Sequence, residues 1–166
     1  MSGALIVTAE LGSADFAWLD GERKLHFPPE RNQLSAHLTM FHALPPSCEE
    51  EARRELKKHT AASAPSATVA GLMNLGRGVA YRVVSDELEV IRRDIANHFH
   101  GLLTAQDGQG WRPHVTIMNK AEPKAAKALL EALSATFQPR PLRIAGLGLH
   151  RYLGGPWERV VVTNFR

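Results

Sequence analysis

At 166 residues, 44% hydrophobic and 22% charged, the chain is long enough for one substantial core and too ordinary in composition for a disordered or fibrous protein. A formal charge of only +3, with no dense Lys/Arg run, excludes the basic coat that duplex nucleic acid demands and suits a small anionic substrate or an RNA end. The single cysteine, Cys48, excludes an internal disulfide and a thiolate zinc cluster, so a reducing, cytoplasmic setting is expected. The short apolar run at the start lacks a basic flank, and no stretch approaches the ~18 apolar residues of a membrane span.

In chain order, the β-branched run Leu5–Ala9 predicts a buried strand, followed by a helix from Phe16 to His26 that Ser13 or Asp15 caps and Pro28-Pro29 ends. A strand over Ala36–Ala43 stops at Pro45-Pro46. Ser47-Cys48-Glu49-Glu50 has the spacing of a capping box opening a charged helix to about His59. After a small, polar connection over Ala61–Ala67, the runs Thr68–Leu75 and Val79–Val84 flank Gly76-Arg77-Gly78 as a hairpin. Asp86–Gly101 is the clearest helix, with Leu88, Ile91, Ile95, Phe99 and Leu102 on one stripe. Pro123 stands where a first helical residue would, ahead of the stripe Ala126, Leu129, Leu130, Leu133 and Phe137. Strands Leu142–His150 and Trp157–Asn164 close the chain around Gly154-Gly155-Pro156.

Within this frame one small pattern occurs twice. Ser35-Ala36-His37-Leu38-Thr39-Met40-Phe41 is echoed by Arg112-Pro113-His114-Val115-Thr116-Ile117-Met118. A single His-x-Thr is within chance expectation; two copies, both in apolar β-type surroundings, are not easily so. Strand side chains alternate faces, so each copy offers an imidazole beside a hydroxyl on one side and apolar residues on the other. The order strand, helix, His strand, helix, strand also occurs twice, which predicts a duplicated unit whose two motifs face one cleft.

The chemistry such a pair can perform is specific. Opening a cyclic phosphodiester requires a proton removed from the nucleophile and a proton delivered to the leaving oxygen. Two imidazoles, ordinarily near pKa 6.5, suit both tasks, each transfer being worth about 10²–10⁴ in rate. Thr39 and Thr116 would hold the non-bridging oxygens. A ribose hydroxyl in place of water would make or break a 2′-5′ link.

On these residues, with Pro113 immediately before the second histidine and Trp111 shortly before that, the sequence resembles the 2H phosphoesterase superfamily and its bacterial 2′-5′ RNA ligase-like group. The resemblance covers nearly the whole chain. It implies an α+β fold in which residues 1–166 form a single domain of two pseudo-symmetric lobes, two antiparallel sheets lining a central cleft with helices outside. It also implies activity on 2′,3′-cyclic phosphates or 2′-5′ phosphodiester links without a metal or other cofactor. Carried over by motif position, His37 and His114 are the catalytic histidines and Thr39 and Thr116 the phosphate-side hydroxyls. Members of the group often place a basic residue a few positions after the second threonine; here Lys120 arrives later, after Ile117-Met118-Asn119.

Other residues have simpler readings beside functional ones. Arg77 at the hairpin tip, and Tyr152 and Trp157 around the last glycine turn, are candidates for substrate contact, against a solvated tip and core or rim packing. His42 is expected on the rim, outside the catalytic set. His98 and His100, two positions apart on a helix, share no face for a metal. The expected partner is an RNA end or cyclic nucleotide bound to a monomer. Two classes remain: a phosphoesterase, or a binding module for nucleotides or RNA ends in the same cleft. Two opposed titratable groups favour catalysis. A metal held by His37 and His114 is a third reading, one that chelators would expose.

Overall fold

The computed structural model describes residues 3–166. Its elements are β1 (Leu5–Leu11), α1 (Ser13–His26), β2 (Leu38–Leu44), α2 (Glu49–Thr60), β3 (Ser66–Asn74), β4 (Val79–Val84), α3 (Asp86–His98), β5 (His114–Met118), α4 (Pro123–Thr136), β6 (Arg140–Tyr152) and β7 (Trp157–Asn164). The fold is α+β, with every strand pairing antiparallel. The two expected sheets are joined into one of seven strands, because the long β6 pairs β3 through Arg140–Arg143 and β1 through Ile144–Arg151.

The order β2-β1-β6-β3-β4-β5, with β7 beside β6, has a consequence for the repeat. Exchanging β1, β2 and β3 for β4, β5 and β6 reproduces the same order read backwards. Each half therefore gives its third strand to the other: β6 completes the sheet of β1 and β2, and β3 completes that of β4 and β5. The motif strands β2 and β5 lie at opposite ends of this path, yet the sheet curls until they approach one another. Even the irregularities match, since pairing slips at Val7/Thr8 on β1 and at Val79/Ala80 on β4.

Alternation places the core. Leu38, Met40, Val115 and Ile117 are fully buried between the half-buried His37, Thr39, His114 and Thr116. Leu56 of α2 and Leu88 and Ile95 of α3 supply the helical side of the same cluster. Burying such a side chain contributes about 1.5–3 kcal/mol, which fixes the register and with it the polar face. α1 crosses to the second half, where Trp18 packs on Tyr81 at 5.0 Å between ring centres and Tyr81 donates its hydroxyl to Glu22 at 2.8 Å.

Several helix ends differ from expectation. Ser47 does not cap α2; it lies in a 3-10 turn over Pro46–Cys48, and the N-cap position is Cys48, without a side-chain bond. The two prolines impose that turn and displace the capping geometry. Likewise α1 begins earlier, at Ser13 after Gly12, and Asp15 instead accepts the Arg143 backbone N–H at 2.8 Å. Ser85 caps α3 by accepting from the Leu88 N–H at 3.1 Å. That helix ends at His98, so Leu102 falls beyond the stripe and is 49% exposed. Pro123 does occupy the first position of α4. No helix among the described residues is long and apolar enough to cross a membrane.

Candidate active site

The two histidines are held in the same way. His37 Nδ1 lies 2.8 Å from the Ser35 carbonyl and His114 Nδ1 lies 2.7 Å from the Arg112 carbonyl. A carbonyl oxygen can only accept, so in both rings Nδ1 carries a proton and donates it. In the neutral ring Nε2 is then left bare, free to take a proton from a ligand, and in the cation to give one. The local bond is possible because each histidine stands at the start of its strand, with the preceding two residues turning back toward the ring.

Two cavities meet at His37. The larger, about 580 Å³, is lined by Thr8, Glu10, Phe16, His37, His150 and Trp157 among others. The smaller, about 310 Å³, is lined by Arg23, Arg31, His37, Thr116, Lys120 and Tyr152 among others. Their electrostatics differ. Three cations border the smaller cavity beside the second motif's threonine, which suits a phosphate. The larger is walled by aromatic rings and carries on its floor the Glu10 carboxylate, paired with Arg159.

The pKa of His37 is displaced by its surroundings. Burial against Trp157, whose ring centre is 4.7 Å away, disfavours the charged ring. The Ser35 bond opposes this, while the charges of Arg23, His150 and His114 reinforce it; the pKa is pushed down to about 4. His37 is therefore neutral near pH 7, with its Nε2 available as a base.

The structure also gathers residues from outside the two motifs. Arg23 is buried on α1, donating Nε to Asn32 at 2.8 Å and Nη1 to the Thr116 carbonyl at 3.2 Å, with its guanidinium 4.3 Å above the Phe27 ring. A basic residue four positions after the core residue Leu19, on the same helix stripe, was the signal available for it. Lys120 reaches the smaller cavity through a left-handed backbone, φ 57°, stabilised by its N–H bond to Asn119 Oδ1 at 2.8 Å.

His150, Thr8 and Glu10 form a second cluster. Thr8 donates its hydroxyl to Glu10 Oε2 at 2.6 Å, so the contact between Thr8 Oγ1 and His150 Nε2 at 3.0 Å has the imidazole as donor. Arg159 donates to Glu10 Oε1 at 3.3 Å. Burial raises the Glu10 pKa, but the bonds from His150 and Thr8 and the Arg159 charge outweigh it. The carboxyl is held below its usual range.

Of the sequence candidates, Tyr152 and Trp157 border the cavities, and Trp157 lies against both His37 and His150. Arg77 does not join them. Its Nε donates to the Ala121 carbonyl at 3.1 Å and its own carbonyl accepts from the Ala121 N–H at 3.0 Å, so it ties the hairpin to the segment after β5. His42 stands on the outer edge of β2, its Nδ1 2.9 Å from Asp107. His98 faces Glu51 and Glu55 of α2 at 3.0 and 3.7 Å, and His100 is exposed.

Comparison with known proteins gives the site its setting. The structure of TT0787 of Thermus thermophilus is similar over 98% of both chains, with a TM-score of 0.69 at 15% identity. Apo LigT of E. coli aligns over 99% of this chain and 98% of its own, with a TM-score of 0.60 at 14% identity. LigT complexed with 3′-AMP aligns over 99% of both chains, with a TM-score of 0.58 at 15% identity. At such identities these likenesses establish the fold. No curated protein sequence is a significant match. The sequence model of the 2′-5′ RNA ligase superfamily, however, matches residues 12–156, which takes in both motifs. By that match the chain belongs to the 2′-5′ RNA ligase superfamily.

Proposed function

We propose that the protein is a two-histidine phosphoesterase acting on 2′-5′ phosphodiester links and on 2′,3′-cyclic phosphate ends of RNA or nucleotides. The observation that carries this reading is the matched pair of imidazoles, each with Nδ1 fastened to its own backbone and Nε2 left for chemistry. In cleavage of a 2′-5′ link, neutral His37 takes the proton of the adjacent ribose 3′-hydroxyl as that oxygen attacks phosphorus. The bond from phosphorus to the 5′-oxygen breaks, and His114 gives that oxygen its proton. The product is a 2′,3′-cyclic phosphate.

Opening the ring retraces the path with water in place of the departing strand. Water loses a proton to His114 and attacks phosphorus, and His37 returns a proton to the leaving ribose oxygen. A phosphate anion beside His37 favours its protonated form, countering the shift seen in the free protein. Thr39 and Thr116 hold the non-bridging oxygens, and Arg23 and Lys120 compensate the charge that grows on them. All proton transfers are met by side chains, so the reaction proceeds in chelator.

The test incubates the protein in EDTA with a 2′,3′-cyclic nucleotide, an RNA ending in a cyclic phosphate and a 2′-5′-linked dinucleotide, beside His37→Ala and His114→Ala. Turnover in the wild type, lost in both variants, is expected. Nucleotide binding without turnover on any of the three would replace the enzyme with a binding module in the same cleft.

A further inference from the structure

The two halves match in backbone but not in charge. Thr8 pairs with Thr39 as Ala80 pairs with Thr116, each just after its slip in register. Two residues further on stand Glu10 in the first half and, opposite His114, Arg82 in the second. The hollow around Pro113, about 400 Å³, is walled by Arg82, Arg112 and Glu89, where the cavity beside His37 has Glu10, paired with Arg159, and Ser35. A site built from an exact repeat would accept substrate in either direction; this difference breaks that symmetry.

The carboxylate is deliberately seated. A Cβ at Gly148 would lie 2.7 Å from Glu10 Oε2, 2.8 Å from Thr8 Oγ1 and 2.9 Å from His150 Nε2. Glycine therefore vacates the volume in which these three groups converge, and a side chain there would expel them. Thr8 bonds Oε2, with His150 Nε2 3.7 Å from the same oxygen, and Arg159 bonds Oε1, which leaves acceptor capacity on the carboxylate to the cavity. The Glu10 carboxylate offers acceptors where phosphate needs donors, and the cations on the other side of His37 attract phosphate. What the floor requires is a flat group with N–H donors between the Trp157 and Phe16 walls.

We propose that the cavity beside His37 is a base subsite in which Glu10 reads the guanine of the nucleotide whose phosphate lies between His37 and Thr116. Among RNA bases only guanine sets two N–H donors side by side, N1–H and the 2-amino group, to match a carboxylate. Adenine and cytosine place a ring acceptor beside their one amino group, and uracil flanks its single N–H with two carbonyls. His150 and Thr8 act through Glu10 as positioning residues.

The inference rests on the phosphoesterase reading, and its test separates the two. Rates on the guanosine, adenosine, cytidine, uridine and inosine 2′,3′-cyclic phosphates are measured beside affinities for the corresponding 3′-monophosphates, in wild type and Glu10→Gln. Guanine is expected to lead by about tenfold or more in both kcat/KM and affinity, the size of one bidentate contact. Inosine, which lacks the 2-amino group, should fall behind it, and Glu10→Gln should flatten the ranking. Equal rates for all bases, or a ranking that survives Glu10→Gln, would overturn the subsite and leave the phosphoesterase standing. No turnover, with guanine nucleotides still bound tightest through Glu10, would support the subsite and remove the phosphoesterase. Absence of both turnover and binding would overturn both.

Discussion

His37 and Trp157 lie ring against ring, with centres 4.7 Å apart and planes inclined by 58°, so one face of the His37 imidazole is shielded by an aromatic wall. No comparable aromatic pair adjoins His114 among the described residues, and burial pushes the His37 pKa down to about 4. The unfolded chain takes up this proton near pH 6.5, the folded chain only near 4. Stability that is fully present above about pH 6.5 is therefore lost as the pH falls toward 4. Denaturant midpoints should decline over that window in the wild type and decline less in His37→Gln.

The same shift sets an activity limb. For cleavage of a 2′-5′ link His37 must be neutral, so its contribution to kcat/KM should persist on the acid side until about pH 4. Trp157→Ala admits water to the ring, and the limb should move upward toward 6.5, with KM raised. A pH profile of both proteins decides the point; an unmoved limb would show that the wall does not tune His37.

Removing either histidine removes a proton transfer. His37→Ala and His114→Ala should each lower kcat by about 10²–10⁴. The double variant should be little worse than the more damaging single one, because the pair acts as a unit. His42→Ala, on the outer edge of β2, should leave kcat unchanged.

Asp107 fastens the loop between α3 and β5 to that edge. Only 1% exposed, it accepts from the His42 and Ala43 N–H groups and from His42 Nδ1, each at 2.9 Å. Burial opposes its ionisation, but these bonds outweigh that and hold the carboxyl below its ordinary range. Asp107→Ala strands two backbone donors and should cost about 2–3 kcal/mol. Thermal melts and faster proteolysis within residues 99–113 would register it.

Lys120 gives effects of opposite sign. Its left-handed backbone costs about 1–2 kcal/mol for a residue with a Cβ, and glycine adopts that conformation freely. Lys120→Gly should raise the melting temperature while weakening substrate binding, as a lost phosphate contact requires.

Local chemistry made much of this legible. The alternation at His37–Met40 and His114–Ile117, the Pro123 start of α4 and the hairpin around Gly76-Arg77-Gly78 rest on spacings of a few residues. The two histidines and threonines were visible because their pattern recurs. The exchange of β3 and β6 was not, since no local periodicity specifies which distant strand completes a sheet. The cluster of Glu10 and His150 was hidden for the same reason: its members come from β1 and β6, and each by itself reads as an isolated polar residue in a strand. Lys120 stands late in its motif, and it is the left-handed turn that brings it into the cleft.

The reciprocal loan of third strands makes the protein a dimer written on one chain. A fragment ending near Gly78 would hold β1 and β2 without their inner neighbour and β3 without a sheet to enter. Such a fragment would recover a complete sheet by pairing with a second copy or with the other half, and the reconstituted cleft would again contain two histidines. Separately expressed halves are thus expected to complement one another, with activity depending on their concentrations as a bimolecular association does.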